Sequence, residues 1–486
     1  MKKNLFWLGL ALCAGFVMTS CDDDDNQGNG GVTDLADDQP AAMVNANGFY
    51  MVNEGKGTDD GSVNYFKKNG TGYDITYRAY RAANGGEKLG SATEFGTIWG
   101  NNMYLTSKQG NRLVVADAKT CKKKVAFQDL GGDPRMFLGV SDKKGYVSTS
   151  TGIRIFDIAQ LQLGEAIADI PVDEIGNMCL SAGKVFAVSA QPYDDNYAPD
   201  LTKTNHLYVI DVETDRVIKV VDGVNMAAMT CSKDGTVWVS THNGFLKINP
   251  ITLNMEEVAY PDGGKVYDSW YAWNAGSLCA STQKNVLYWA SGTSSWAVTD
   301  IWKYDVEANQ FSKIYTMTMH ETDLGYVPNV YSAGLRVDPL TDELIVMGVY
   351  SYAQCWAYKL DSNGHELGCY PLLGGDGALP DGYNYWFPAL PFFEDANQPQ
   401  ILLNQVKVEA GKTVEVDLEE KVVDYDNIFA SMMFELTPTD GSVAEVALDG
   451  DDLKVKAGAL PGVTACKLAV ISNGVRVEKN IQIVVE

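Results

Sequence analysis

The sequence predicts an all-β fold: a seven-bladed β-propeller followed by a small immunoglobulin-like β-sandwich. Three observations carry this. Beyond residue 47, short alternating apolar runs are separated by Gly, Asn and Asp, with no long helical periodicity. One strand-turn-strand unit recurs at intervals of roughly 40–55 residues, the span of a four-stranded propeller blade. Residues 396–486 then change character, losing Trp altogether while short strands alternate with polar turns.

The N-terminus is read first as an address. Lys2 and Lys3 precede an apolar run from Leu5 to Met18, too short to span a bilayer as a folded element. Residues 1–20 therefore read as a secretory signal peptide. It ends at Met18-Thr19-Ser20-Cys21, which resembles a bacterial lipobox. Cys21 is the predicted lipidation site, its acyl chains anchoring the protein by burying CH₂ groups in a membrane. Asp22-Asp23-Asp24-Asp25 follow, a run that resembles the surface-export signal of Bacteroidetes lipoproteins; the plainer alternative is a solvated spacer. Residues 21–46 read as a lipidated acidic tether, because seven Asp with no base cannot build a core. The expected location is the outer membrane, facing the cell exterior.

The propeller is assigned to residues 47–395. Its turns carry Asp or Asn at 117, 157, 211, 249, 305 and 361, with Phe66 taking the place in the first copy. An Asp there accepts from backbone N–H groups two residues on and holds a tight turn, so these residues read as structural. The first copy, starting at Phe49-Tyr50-Met51-Val52, lacks a front strand. The extended apolar stretch Tyr385–Phe393 is expected to supply it, closing the ring and removing exposed sheet edges. Strands at Thr413–Leu418, Val443–Leu448, Leu453–Lys456, Cys466–Ile471 and Val475–Val485 make residues 396–486 a sandwich. The Cys…Trp…Cys pattern of antibody domains is missing from it.

Composition excludes several functions. With 63 acidic against 38 basic residues and a net charge of −25, the chain lacks the basic face that nucleic acid requires. Four scattered histidines (His206, His242, His320 and His365) argue against a His-based metal cluster. There is no HExxH, CxxC, Walker loop or GxSxG, so no catalytic residue is assigned and an enzyme is not expected. Ser232–Trp238 resembles the Asp-box turn of sialidase-type propellers, one residue short, and reads as a turn. Nine Cys are too few for a disulfide scaffold. Cys179, Cys231 and Cys279 hold similar places in successive units and read as buried hydrophobes. Cys355 and Cys369 stand nearly equidistant from the Ser362-Asn363 turn, an arrangement that lets them face one another across a hairpin and pair.

The aromatic distribution points to a ligand. Seven of ten Trp and fourteen of 25 Tyr fall between residues 260 and 386. Many belong to core strands, but others lie in long connections. Between units these are Trp270, Trp273, His320, Tyr326, Tyr383 and Tyr385; within units they are Tyr193, Tyr197, Trp296, Tyr350 and Tyr352. Both loop sets of a propeller emerge on one face around the channel. Convergent rings there offer flat apolar area with polar tips, suited to a large ligand rich in hydrogen-bonding groups. The alternative is that the rings pack their own loops.

Val52-Asn53-Glu54-Gly55, Ala83-Asn84-Gly85 with Leu89-Gly90, Val115–Thr120 and the closing Tyr385-Trp386-Phe387-Pro388 together resemble the Bacteroidetes surface lipoproteins with a YncE-like seven-bladed propeller, a domain-of-unknown-function family. Within that group the chain is similar to BtuG-type corrinoid-binding proteins. The resemblance implies capture of cobalamin or another corrinoid, delivery to an outer-membrane TonB-dependent transporter, and no cofactor beyond that bound corrinoid. His320 or His242 would then be the imidazole able to approach cobalt. The C-terminal sandwich is not part of that implication. Other expectations stay open: a glycan- or peptide-binding surface module, or an adhesion or scaffold protein.

Overall fold

The computed structural model describes residues 34–55, 61–196, 198–267, 274–294, 297–320, 327–350, 354–372, 387–437 and 441–486. From residue 36 onward these form one compact unit. It is nearly all strand, with one five-residue helix, Ala79–Ala83, between the first two sheets. None of its helices is long and apolar enough to cross a membrane.

Residues 48–393 build seven four-stranded antiparallel sheets, a propeller-like arrangement. Sheet 1 runs Pro388–Phe393, Gly48–Asn53, Ser62–Asn69, Gly72–Thr76, so a C-terminal strand completes the N-terminal sheet as expected. The inner strands of sheets 2 to 7 are Ser91–Trp99, Pro134–Gly139, Ile175–Ser181, Met229–Cys231, Cys279–Ala280 and Asn329–Val337. Each inner strand packs beside the next, and Asn329–Val337 returns to pack beside Pro388–Phe393. Between sheets, large rings and branched aliphatics fill the gaps. Tyr104 stacks on Phe137 at 3.6 Å between ring centroids, and Trp238 and Trp289 are wholly buried.

The turns between third and fourth strands bear out the structural role given to their Asp and Asn. Asp117 Oδ1 accepts from Thr120 N at 2.9 Å and Thr120 Oγ1 at 2.8 Å, and Asp211 repeats this with Thr214 at 2.9 and 2.7 Å. Asp157, Asn249, Asp305 and Asp361 accept from backbone N–H groups two to four residues on. In sheet 1 the turn is not at Phe66, which lies inside a strand opposite Ile75; it falls at Asn69–Gly72, where Asn69 donates to Asp74. The Ser232–Trp238 segment is a turn: Ser232 Oγ donates to Asp234 and accepts from the indole N–H of the buried Trp238.

The C-terminal residues pack a four-stranded sheet (Gln405–Val408, Val475–Val485, Gly462–Ser472, Met433–Thr437) against a three-stranded one (Thr413–Asp417, Asp452–Ala457, Ala444–Asp449) around a core of their own. Leu, Val and Ile fill that core, with Cys466 buried as a small hydrophobe. Gln405–Val408 pairs in parallel with the last strand.

Two expectations are corrected. The tether is not free throughout residues 21–46: from residue 36 its backbone is hydrogen-bonded along the sandwich. Asp38 N donates to Leu402 O, Ala41 N to Gln400, and Val44 N to Asn397. A segment with no core of its own is fixed by lending its backbone to a neighbour. Cys355 and Cys369 do not pair. Cys355 stands opposite Leu372 and Cys369 opposite Tyr358, three positions out of step, and both thiols are free.

Candidate functional site

Strand direction gives the ring of sheets two unlike ends. One carries the first-to-second and third-to-fourth strand turns; the other carries the second-to-third loops and the connections between sheets. The sandwich sits on the turn end. Asn473 O accepts from Gly100 N at 2.6 Å, Ala430 O from Ala182 N at 2.6 Å, and Ser431 Oγ donates to Leu180 O at 2.7 Å. Close approach requires glycine there: a Cβ on Gly235 would lie 2.5 Å from the Ala430 methyl, and one on Gly474 2.5 Å from the Trp99 ring. A cavity of about 420 Å³ remains between the inner strands and residues Asn427, Ile428 and Asn473 of the sandwich. The loop end is left for ligands.

Of the predicted ligand residues, three are described. Tyr193 is exposed, in a loop of sheet 4 where it bridges to Pro199. Tyr350 ends the second strand of sheet 7, half-buried against the core shared with sheet 6. His320 is held by Glu366, at 2.8 Å from Nε2, beside the outermost strand of sheet 7 and far from the inner ring. Tyr197, Trp270, Trp273, Trp296, Tyr326, Tyr352, Tyr383 and Tyr385 lie outside the described residues, as does Cys21. His242 lies on the loop end of sheet 5, its Nδ1 3.3 Å from Lys265 Nζ. Partial burial and that ammonium hold its pKa below the usual imidazole range.

What the structure assembles at the loop end is a charged group that the sequence reading did not select. Glu94 points from the inner strand of sheet 2, 7% exposed, with Lys108 Nζ at 2.5 Å. Arg135, from the inner strand of sheet 3 and 6% exposed, pairs with Glu174 at 2.7 Å. Glu54 follows the second strand of sheet 1 and accepts from the Tyr331 hydroxyl of sheet 7. Its carbonyl accepts from Thr93 N at 3.1 Å, which seats it beside Glu94. Next to Glu54, the buried cross-strand neighbours Asn53 and Ser62 leave the amide oxygen and the hydroxyl without protein partners among the described residues.

Burial, then the like charge of Glu54, pushes the Glu94 carboxyl up to about 7, with Lys108 and Arg135 opposing. Burial also raises Glu54, against the Tyr331 hydroxyl and the Lys108 charge. Three carboxylates thus face two cations, and one of them titrates near neutrality. Such a mouth can accept hydrogen bonds from a ligand's N–H or O–H groups and can exchange a proton as it does so. The signal in the sequence was a Glu inside an otherwise small and apolar inner strand, Ser91–Trp99. Among the described residues no three His, Cys, Asp or Glu are grouped to hold a metal ion.

Residues 47–394 match the model of a domain of unknown function, DUF5074. A quinonprotein alcohol dehydrogenase-like protein from Bacteroides thetaiotaomicron superposes with a TM-score of 0.51 at 17% identity, over 72% of this chain and 78% of that one. At that identity the likeness shows the fold. The extracellular domain of a putative one-component system from the same organism gives 0.41 at 12% identity, over 92% of this chain and 57% of that one. Apo AztD from Citrobacter koseri gives 0.43 at 10%, over 90% and 95%. None of the curated proteins matches this chain.

Proposed function

The chain belongs to the DUF5074 family, and from that premise we propose a lipid-anchored cell-surface protein that captures a ligand and passes it to an outer-membrane TonB-dependent transporter. In this reading the seven sheets are the blades of one closed propeller. The C-terminal domain is an immunoglobulin-like sandwich, and Cys21 carries the lipid. The ligand is cobalamin or another corrinoid, and the protein performs no chemistry on it.

One observation carries the reading: the sandwich covers the turn end, while the loop end offers buried acceptors at its centre. A corrin is broad and apolar on its faces and fringed by primary amides. Amide N–H donors match the carboxylates of Glu54 and Glu94 and the oxygens of Asn53 and Ser62, and the apolar faces match the predicted ring of Tyr and Trp. The same acceptors suit sugar hydroxyls, which makes a glycan the second reading. Calorimetry on the purified protein with cobalamin, cobinamide, haem and a panel of oligosaccharides separates the two. Saturable heat with a corrinoid and none with haem is the expected outcome. Heat with an oligosaccharide alone transfers the site to glycans, and no heat with any corrinoid ends the first reading.

A further inference from the structure

Two thiols meet on the channel wall. Cys179 lies in the inner strand of sheet 4 and Cys231 ends the inner strand of sheet 5, its neighbour in the ring. The Cys179 thiol is within hydrogen-bonding reach of the Cys231 thiol, and Cys231 Sγ lies 3.7 Å from Leu180 O, one residue from Cys179. Both are partly exposed and both line the cavity between the inner strands and the sandwich. The other free thiols are placed differently. Cys121, Cys355 and Cys466 are buried in separate cores, and Cys369 is on an outer strand. Cys279 lines the same cavity, but its Sγ turns to Tyr288 O of its own sheet at 3.7 Å.

We propose that Cys179 and Cys231 are an oxidisable pair, which closes to a disulfide and staples the inner strands of sheets 4 and 5. A chain exported to the cell surface meets an oxidising environment, where adjacent accessible thiols are converted. The oxidant is a small disulfide of the glutathione class entering the cavity. One cysteine thiolate attacks a sulfur of the small disulfide and releases one thiolate, leaving a mixed disulfide. The second cysteine thiolate attacks the protein sulfur of that mixed disulfide and expels the other half. One protein S–S bond forms, one small S–S bond breaks, two electrons pass to the oxidant, and the two thiol protons end on its two released thiolates. Burial holds the Cys179 thiol protonated, so closure quickens as pH rises.

The test is peptide mapping of the folded full-length chain. It is treated with oxidised glutathione at pH 7 and at pH 8.5, blocked with N-ethylmaleimide and cut with trypsin. Cys179 leaves in the peptide 155–184 and Cys231 in 220–233. The expected product is these two peptides joined, two hydrogens lighter than their sum, forming faster at the higher pH. Cys179→Ser and Cys231→Ser each remove it, and the wild-type arm stands without them should a variant fold poorly. Recovery of both peptides as maleimide adducts overturns the proposal. So does their recovery as single glutathione adducts, or a Cys231–Cys279 link in place of the expected one.

Discussion

Where the propeller meets the sandwich, three aspartates crowd together, and removing one charge there should strengthen the protein in one pH range only. Asp395 follows the strand that closes sheet 1. It accepts from Asn473 Nδ2 at 3.2 Å and faces Asp424 and Asp426 of the sandwich. Asp426, 8% exposed, already accepts from Ala396 N, Asn397 N and Asn397 Nδ2. Burial first, then its two acidic neighbours, pushes the Asp395 carboxyl up to about 8; burial pushes Asp424 up to about 6. The folded state therefore binds protons that the unfolded chain releases near pH 4. Stability from these groups is full below that point and is lost as pH rises toward 6 for Asp424 and 8 for Asp395. Four units at about 1.36 kcal/mol each would cost roughly 5 kcal/mol, and sharing one proton among coupled carboxyls reduces this to about 2–3 kcal/mol. Asp395→Asn keeps the acceptor for Asn473 and supplies a neutral donor toward Asp426. It should raise the melting temperature at pH 8 by about 2–3 °C, from the usual unfolding entropy of a chain this long, and change nothing at pH 4. Thermal unfolding of both proteins across pH 4–8 decides it. An equal gain at both ends of the range, or a loss at pH 8, would refute the argument, because general acidic repulsion is common to both proteins.

Two further perturbations test the loop end and the docked sandwich. Glu94→Gln removes the group titrating near 7 at the mouth. If ionised carboxylates accept from the ligand, wild-type affinity rises as pH passes from 6 to 8. The variant should show a flat profile and lose roughly ten-fold at pH 8, the worth of one charge-assisted hydrogen bond, by calorimetric titration. Gly235→Ala places a methyl 2.5 Å from that of Ala430 and asks Ala to hold a φ of +78°. A loss of about 1–3 kcal/mol in denaturant unfolding is expected, from strain and overpacking together.

Much of the architecture was legible along the chain. The Asp and Asn turns and the closing strand at 388–393 stand where period-two alternation and turn chemistry put them. Those are local properties, since an Asp that can reach N–H groups two or three residues on needs no distant partner. The misplacement of the first turn at Phe66 has the same origin: Asn69-Gly70-Thr71-Gly72 carries its own signal, passed over in favour of an even repeat. Cys355 and Cys369 failed as a pair because distance from a turn does not fix register when a bulge lies between Lys359 and Leu360.

The candidate site was less legible. Glu54, Glu94, Lys108, Arg135, Glu174 and Tyr331 come from four sheets, and Glu54 and Tyr331 are 277 residues apart. No window of sequence contains them, and a Glu in a strand looks the same whether it faces water or a closed ring. The acidic balance, the repeat and the loop positions of Tyr and Trp belong to the sequence itself, because each follows from nearest neighbours and composition. Which charges are stripped of water, which two cysteines meet and which end of the ring the sandwich covers were decided by tertiary structure. Only ring closure brings the inner strands together and sets their burial.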